Sequence, residues 1–478
     1  MTMRIHQHPV LTFDRGRKIT FAFDGKSIEA YEGEPIAAAL HAADIKVLSR
    51  SIKLHRPRGF FCAIGKCSSC MMEVDGVPNV KTCLVLAQEG MDVRSQTGWG
   101  TLRNVSTNGN YPRKAIPSLE TEVAVVGAGP AGLSAAIYAS RFGANVMVFD
   151  ENGRIGGQLI KQTHMFFGSK DHYAKVRGID IGEKLVAQLD KKVSVFTETP
   201  VVGYYSPYQL AVVKDHRLHR VQAKKIIVAT GASENMLAFP NNDLPGVYGA
   251  GAVQTLMNVY GILPGRRVLM VGAGNIGVIV AYQLLQAGIG VAAVVEALPT
   301  IGAYQVHASK LRRCGVPILT RHTIQRALGK EKVEGATIVQ LDKNWNEVKG
   351  TEEDITVDTI CLSVGLKPTA EIFLQAGCRM VNIPELGGEV PFRNENLETS
   401  IKGIYVAGDA SGIEEASSAM LEGRLAGLDA VEKLKGKSKE IFDLKAELKR
   451  SLKELREGPF GEKIRVGEEK LRREALVS

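Results

Sequence analysis

Four of the seven cysteines fall within 22 residues, at Cys62, Cys67, Cys70 and Cys83 in the run CAIGKCSSCMMEVDGVPNVKTC. The pattern Cys-x4-Cys-x2-Cys, with a fourth thiol after twelve intervening residues, is one that holds a 2Fe–2S cluster. Three thiols in one tight loop let the backbone wrap a small cluster, and the fourth arrives from the next segment to close the site. Such a cluster moves one electron at a time and does no substrate chemistry. Two other chemistries compete for these thiols. Zinc sites use paired C-x2-C units or mixed Cys/His sets, and only one C-x2-C pair is present. Disulfides conflict with a polar N-terminus, MTMRIHQHPV, that has no apolar signal core. A degenerate domain without a cluster would not be expected to keep all four thiols.

The elements around these cysteines follow from local pattern. ITFAF and KSIEAY flank Asp24-Gly25 and predict a β-hairpin with a tight turn. Glu34-Pro35 opens a short helix, PIAAALHAA, with Pro in its first turn. MMEVDGV after the cysteine loop predicts another strand and turn. Hairpin, helix, cysteine loop and strand in this order resemble the β-grasp fold of plant-type ferredoxins over about residues 15–97. We assign residues 1–100 to this 2Fe–2S domain. The Gly-, Asn-, Ser- and Pro-rich stretch that follows predicts a linker over 101–121.

A different chemistry begins at Glu122. The apolar strand VAVV runs into Gly127, Gly129 and Gly132, a G-x-G-x-x-G loop with Pro130 and Ala131 opening a helix. Asp150, with Glu151 beside it, closes the next strand. The first glycine permits the turn, the second lets a pyrophosphate approach the backbone, and the third lets helix and sheet pack closely. The phosphates would sit on the helix N-terminus, where free N–H groups and the helix dipole stabilise anions. Asp150 would accept from the ribose hydroxyls. The frame recurs at Gly272, Gly274 and Gly277, with Asn275 and Ile276 in the loop and Glu296 ending the second strand. A decayed fold that only packs is the alternative for this second copy. Glu296 would accept from a ribose 2′-hydroxyl and repel a 2′-phosphate. Ala297, Leu298 and Pro299 bring no cation to offset that, and Arg312 and Arg313 lie further along, so NADH is expected over NADPH.

At this point residues 122–428 resemble the two-dinucleotide-binding flavoproteins that include thioredoxin and glutathione reductases. Gly156-Gly157-Gln158-Leu159 looks like their loop beside the flavin. Ala229-Thr230-Gly231-Ala232 looks like the turn returning between domains. The segment Val364 to Thr369, with Gly365, looks like the end of the nicotinamide domain. Tyr405 to Ala410 looks like the YVAGDA motif, in which Gly408 and Asp409 face the ribityl and pyrophosphate side of FAD. The resemblance implies an FAD-binding domain at 122–245 and 370–430 and an NAD-binding domain at 246–369. One departure matters. The remaining cysteines, Cys314, Cys361 and Cys378, are widely spaced singletons, so the redox pair of the disulfide reductases is missing.

A cluster domain fused to such a flavoprotein resembles, more narrowly, the α subunits of heteromeric amine and imino-acid dehydrogenases and oxidases. These include sarcosine oxidase, opine oxidase, hydrogen cyanide synthase and dye-linked L-proline dehydrogenase. The resemblance implies FAD, a 2Fe–2S cluster and NAD(H), and leaves room for FMN at a subunit interface. It also implies a separate amine- or imino-acid-oxidising flavoprotein subunit, with small ferredoxin-like subunits as further candidate partners. In that reading this chain oxidises NADH through FAD and exchanges single electrons with the cluster. A stand-alone NADH-dependent reductase and a non-catalytic nucleotide-binding scaffold are the competing readings. No acid/base pair is needed for hydride transfer, and no catalytic side chain is assigned.

Composition sets the outer bounds. The chain has 478 residues, 45% of them hydrophobic, and a net charge of +9. Residues 1–115 carry 16 Lys/Arg against 10 Asp/Glu, and residues 431–478 carry 14 against 10. That excess can steer acidic protein partners. Aromatics at 6% and the lack of any reader motif argue against nucleic acid. No apolar run reaches the roughly 20 residues of a membrane span, which leads to the expectation of a cytoplasmic chain, membrane-associated only through partners. In the charged tail, 431–478, Ile441, Leu444, Leu448, Leu452 and Leu455 share one helical face. That face serves either the chain's own core or a partner. YGILPGRR predicts a domain linker. His164, His172 and His307 are assigned no role. The fold class is thus α/β: two Rossmann-like dinucleotide-binding domains behind a β-grasp ferredoxin-like domain.

Overall fold

The computed structural model describes residues 2–96, 98–101, 115–166, 170–215 and 217–474. The linker expected over 101–121 falls mostly on 102–114, outside the described residues. The chain forms two compact units, Met1–Asn110 with Glu234–Gly365, and Tyr111–Ser233 with Leu366–Ser478. No helix among the described residues is long and apolar enough to cross a membrane.

In the first unit the Asp24-Gly25 turn joins strands Lys18–Phe23 and Lys26–Tyr31 in antiparallel register, with Phe21 opposite Ile28. Asp24 and Gly25 both take positive φ, as a tight hairpin turn requires. The hairpin joins a five-stranded mixed sheet with Asp92–Arg94, Met71–Val74 and Val77–Lys81. Helix Ile36–Ala42 is buried along its whole length, which its apolar sequence allows at every position but His41, whose ring is bonded to Leu263 O at 3.1 Å. It has no capping side chain. Its first N–H groups are instead accepted by backbone carbonyls, Ile36 N–H to Val85 O at 2.9 Å and Ala37 N–H to Thr82 O at 3.0 Å. The helix start is thereby fixed to both sides of Cys83.

This unit also holds a five-stranded parallel sheet, ordered Val247–Gly249, Thr359–Leu362, Arg267–Val271, Gly290–Glu296, Ile318–Thr320, and a three-stranded antiparallel one of His322–Leu328, Gly335–Gln340 and Glu353–Ile355. Helices Asn275–Gln286 and Gln305–Arg313 flank the parallel sheet. One apolar core runs through both parts, from Ile19, Phe21 and Leu40 to Leu256, Met257 and Leu284. The seam is YGILPGRR, which is not an exposed linker. Ile262 is fully buried, Gly261 O accepts from Ile5 N–H at 2.7 Å, and Leu263 N–H donates to Met3 O at 2.7 Å. Apolar Ile262 and Leu263 between turn-forming glycines gave a linker pattern locally. Burying them against the N-terminal segment is a tertiary outcome.

The second unit holds the other parallel sheet, ordered Val193–Phe196, Val146–Phe149, Val123–Val126, Lys225–Val228, Ile404–Val406. All four residues of VAVV are buried, as a central parallel strand covered on both faces demands. Helices Pro130–Arg141 and Ala416–Lys435 pack on it. The tail forms two more helices, Lys439–Leu455 and Glu462–Glu474. Ile441, Leu448 and Leu452 are buried in the core of this unit, with Leu444 and Leu455 half-buried against it, so the tail's apolar face is spent on its own chain. Ser438 caps the first tail helix, its hydroxyl accepting from Ile441 N–H at 3.1 Å.

Candidate functional site

The two glycine loops are built alike. In the first, Gly127 N–H donates to Phe149 O at 2.8 Å and Ala128 N–H donates to the Asp150 carboxylate at 2.7 Å. In the second, Gly272 N–H donates to Val295 O at 2.8 Å and Ala273 N–H donates to the Glu296 carboxylate at 2.7 Å. A Cβ on Gly132 would lie 1.8 Å from Gly127 O, and one on Gly277 would lie 2.1 Å from Gly272 O. Only glycine fits at either place. Both following helices start without a capping side chain, which leaves first-turn N–H groups for an anion. A Cβ on Gly274 would meet nothing within 4 Å. That open cradle beside an uncapped helix end fits a nucleotide pyrophosphate.

The other sequence-identified segments gather at the C-terminal edge of the first loop's sheet. Gly157 approaches Gly129 so closely that a Cβ on Gly157 would lie 2.7 Å from the Gly129 Cα. Gly156 N–H donates to Ala128 O at 2.9 Å, Ala229 N–H to Val126 O at 2.8 Å, and Ala407 N–H to Val228 O at 3.1 Å. Gly408 lies against Ala131, where a Cβ would come within 2.8 Å of the alanine methyl. Leu159 is buried, whereas Gln158 and Glu151 are exposed. Thr230 and Gly231 are tied to the returning chain: Thr369 N–H donates to Gly231 O and the Thr230 hydroxyl to Thr369 O, both at 3.0 Å. Burial pushes Asp409 up to about 7. The nearby Glu422 and Glu414 carboxylates add to the rise, and the Glu414 N–H opposes it. At the second loop, Ile276 is half-buried at the start of its helix, Gly365 takes φ 101° and accepts from Asn235 N–H at 3.0 Å, and the Asn275 side chain accepts from Tyr304 N–H at 2.8 Å.

Sequence reasoning missed several supporting groups. Asn152 donates through its backbone and side-chain nitrogens to Asp150, at 2.8 and 2.9 Å. Leu298 N–H donates to Glu296 at 2.9 Å. Each acid is therefore held in place by donors of its own loop. Glu422 is buried in the helix that follows the YVAGDA segment, and it accepts from Gly408 N–H at 2.9 Å and the Ser411 hydroxyl at 2.6 Å. The available signal was an acid set within the apolar run SSAMLEGRLAGL.

The four thiols of the first unit converge. Cys62, Cys70 and Cys83 are buried and Cys67 is half-buried. Ala63, Gly65 and Ser68 take left-handed φ of 56°, 67° and 58°, the curvature a wrapping loop requires. Thr82, next to Cys83, ties the fourth thiol's segment to the loop, donating to Cys70 O from its hydroxyl at 2.6 Å. The Cys67 and Cys83 thiols both donate to Cys62, which lowers it. Cys83 also donates to Cys70 and lowers it. As donors, and being buried, Cys67 and Cys83 are raised. Four thiols on one wrapping loop and the segment after it are a donor set that fits a 2Fe–2S cluster. Phe61, Cys62 and Cys67 pack against Leu237, Phe239, Leu244 and Val247 of the same unit, so an apolar wall backs the cage.

Similarity to known proteins agrees with these features. Residues 121–423 match the family model described as pyridine nucleotide-disulphide oxidoreductase, and residues 16–98 match that of a 2Fe-2S iron-sulfur cluster binding domain. The chain is 26% identical over 445 residues to the alpha subunit of sarcosine oxidase from Corynebacterium sp. (strain P-1), covering 89% of this chain and 44% of that one. It is 31% identical over 329 residues to the A subunit of opine oxidase from Rhizobium meliloti (strain 1021), covering 64% of this chain and 69% of that one. The chain thus spans less than half the length of that sarcosine oxidase relative. Its fold is similar to the crystal structure of L-proline dehydrogenase from P. horikoshii, with TM-score 0.73 and 26% identity over 94% of this chain and 79% of that one. Thioredoxin reductase of T. acidophilum shares the fold at TM-score 0.55 and 21% identity, over 66% of this chain and 99% of that one. The chain belongs to the pyridine nucleotide-disulphide oxidoreductase family of FAD-dependent oxidoreductases, with a 2Fe–2S domain in front of it, and is related to the sarcosine and opine oxidase subunits.

Proposed function

We propose that this chain is the electron-transferring flavoprotein subunit of a complex that oxidises an amine or imino acid, L-proline-like in class. In this role it oxidises NADH and passes single electrons onward. The observation that carries the reading is two alike nucleotide cradles and one four-thiol cage in a single chain. When bound, FAD takes up the two electrons of a hydride and releases them singly, and the cluster carries them one at a time. The residues of the chain supply position. Gly127, Gly129, Pro130, Ala131 and Gly132 would cradle the FAD pyrophosphate, Asp150 its adenosine ribose, and Asp409 with Gly408 the ribityl side. Gly272, Gly274, Asn275, Ile276 and Gly277 would cradle NADH, with Glu296 on its ribose. Cys62, Cys67, Cys70 and Cys83 would ligate the cluster.

The substrate would be oxidised on a partner flavoprotein subunit, with small ferredoxin-like subunits and an interfacial FMN as further components. The complex would work in the cytoplasm. Anaerobic titration of the purified complex with NADH tests the reading. Flavin bleaching should come with the paramagnetic signal of a reduced 2Fe–2S cluster, and the isolated chain should reduce dyes with NADH but ignore proline and sarcosine. A complex in which NADH reduces neither centre, or a lone chain that oxidises the amine, would overturn it.

A further inference from the structure

Every acid of the helix that follows Asp409 is neutralised from the tail. Glu422 and Asp429 are buried on helix Ala416–Lys435. Lys445 reaches Asp429 at 2.5 Å. Arg456, at the end of helix Lys439–Leu455, forks between Glu422 at 2.7 Å and Glu414, where its Nε donates at 3.1 Å. Its third side faces Glu468 of the last helix at 3.6 Å, and Glu468 is also paired with the buried Arg393. The three carboxylates Glu414, Glu422 and Glu468 lie close enough together to hold a metal ion, but the two arginines already fill that role.

The Glu422 carboxylate and the Glu414 backbone hold the Asp409 loop. Glu422 takes the Gly408 N–H and the Ser411 hydroxyl on its other oxygen, and Glu414 N–H points at Asp409 at 3.4 Å. The run from Gly408 to Glu414 is therefore held at its start by the Glu422 carboxylate and at its end by the bond from Arg456 to the Glu414 carboxylate, so Arg456 is the shared counter-ion of both. That residue lies beyond the family-matched segment, which ends at 423. We infer that Arg456 is a positioning residue for the flavin-facing loop: the tail keeps Glu422 and Glu414 neutralised so that Gly408 and Asp409 stay aligned for FAD. This rests on the proposed placement of FAD against Asp409. Without Arg456, two buried carboxylates would face each other beside Asp409, and the cheapest relief is to turn Glu414 to solvent, which releases the loop.

The test uses the full chain and four proteins: parent, R456K, R456M and the double variant R456M/E414Q. FAD dissociation constants are measured by flavin fluorescence, with iron and acid-labile sulfide as an independent check on the other unit. R456M should bind FAD at least tenfold more weakly with its cluster content unchanged. R456K should be intermediate, and the double variant, which removes one of the opposed charges, should recover most of the loss. Packing alone would give no recovery on removing a second polar group. If the parent binds FAD and R456M binds it within twofold of the parent, or if E414Q fails to restore binding, the inference is wrong while the FAD reading stands. A parent that binds no FAD overturns both.

Discussion

Glu296 offers the sharpest test of the second nucleotide site. Its carboxylate already accepts from Ala273 N–H at 2.7 Å and Leu298 N–H at 2.9 Å, so Glu296→Ala removes three acceptor roles, one of them toward the ligand. The two internal bonds are lost in free and bound protein alike. They should appear as lost stability of about 1–3 kcal/mol, at the low end because Glu296 is half-exposed. The proposed bond to the ribose would be lost only in the complex. A hydrogen bond to a charged acceptor contributes about 1.5–3 kcal/mol, which is roughly a ten- to hundredfold weakening of NADH. NADPH should lose less, because the same substitution removes repulsion of the 2′-phosphate. Glu296→Gln keeps an oxygen acceptor without the charge and should fall between. Binding titrations and steady-state kinetics with both nucleotides separate affinity from stability, and Asp150→Asn serves as a control that should weaken FAD without touching NADH. Equal or better use of NADPH by the parent, or an alanine variant within twofold of the parent for NADH, would refute the argument.

Other outcomes follow from single contacts. Cys83→Ser should abolish stable cluster assembly, with iron and sulfide falling from about two per chain toward zero and flavin content kept; retained zinc in the parent, prepared anaerobically, would count against the cluster. Gly277→Ala puts a methyl 2.1 Å from Gly272 O, so the loop must open. NADH binding should be lost while FAD binding persists, as difference titrations would show. His41 is held neutral by burial, aided by the Lys46 charge, and is lowered to about 3. With its folded value below the unfolded one of 6.5, its stabilising share is full above pH 6.5 and is lost as pH falls toward 3. Unfolding free energies from urea melts, plotted against pH, should therefore flatten in His41→Leu by up to about 1.4 kcal/mol per pH unit within that window, and an unchanged slope would show that the imidazole is not buried as described.

Much of this protein is legible in the linear pattern because its chemistry is local. A glycine loop between an apolar strand and a helix needs its three glycines at fixed offsets, since the Cβ clashes at Gly132 and Gly277 arise within one turn of chain. The thiol cage is nearly as local, three of its thiols sharing a loop of nine residues from Cys62 to Cys70. Periodicity likewise marks the apolar face of Ile441, Leu448 and Leu452, but cannot say what covers it. Only folding decides that this face closes on its own unit, because burial depends on segments far apart in sequence. For the same reason YGILPGRR had the composition of a linker and became a seam. The groups that hold the acids in place were invisible too: Asn152 looks like any turn residue, and Arg456 like one charge among many in a basic tail. A buried carboxylate must find its counter-charge wherever the chain brings one, and that partner's position is set by tertiary packing.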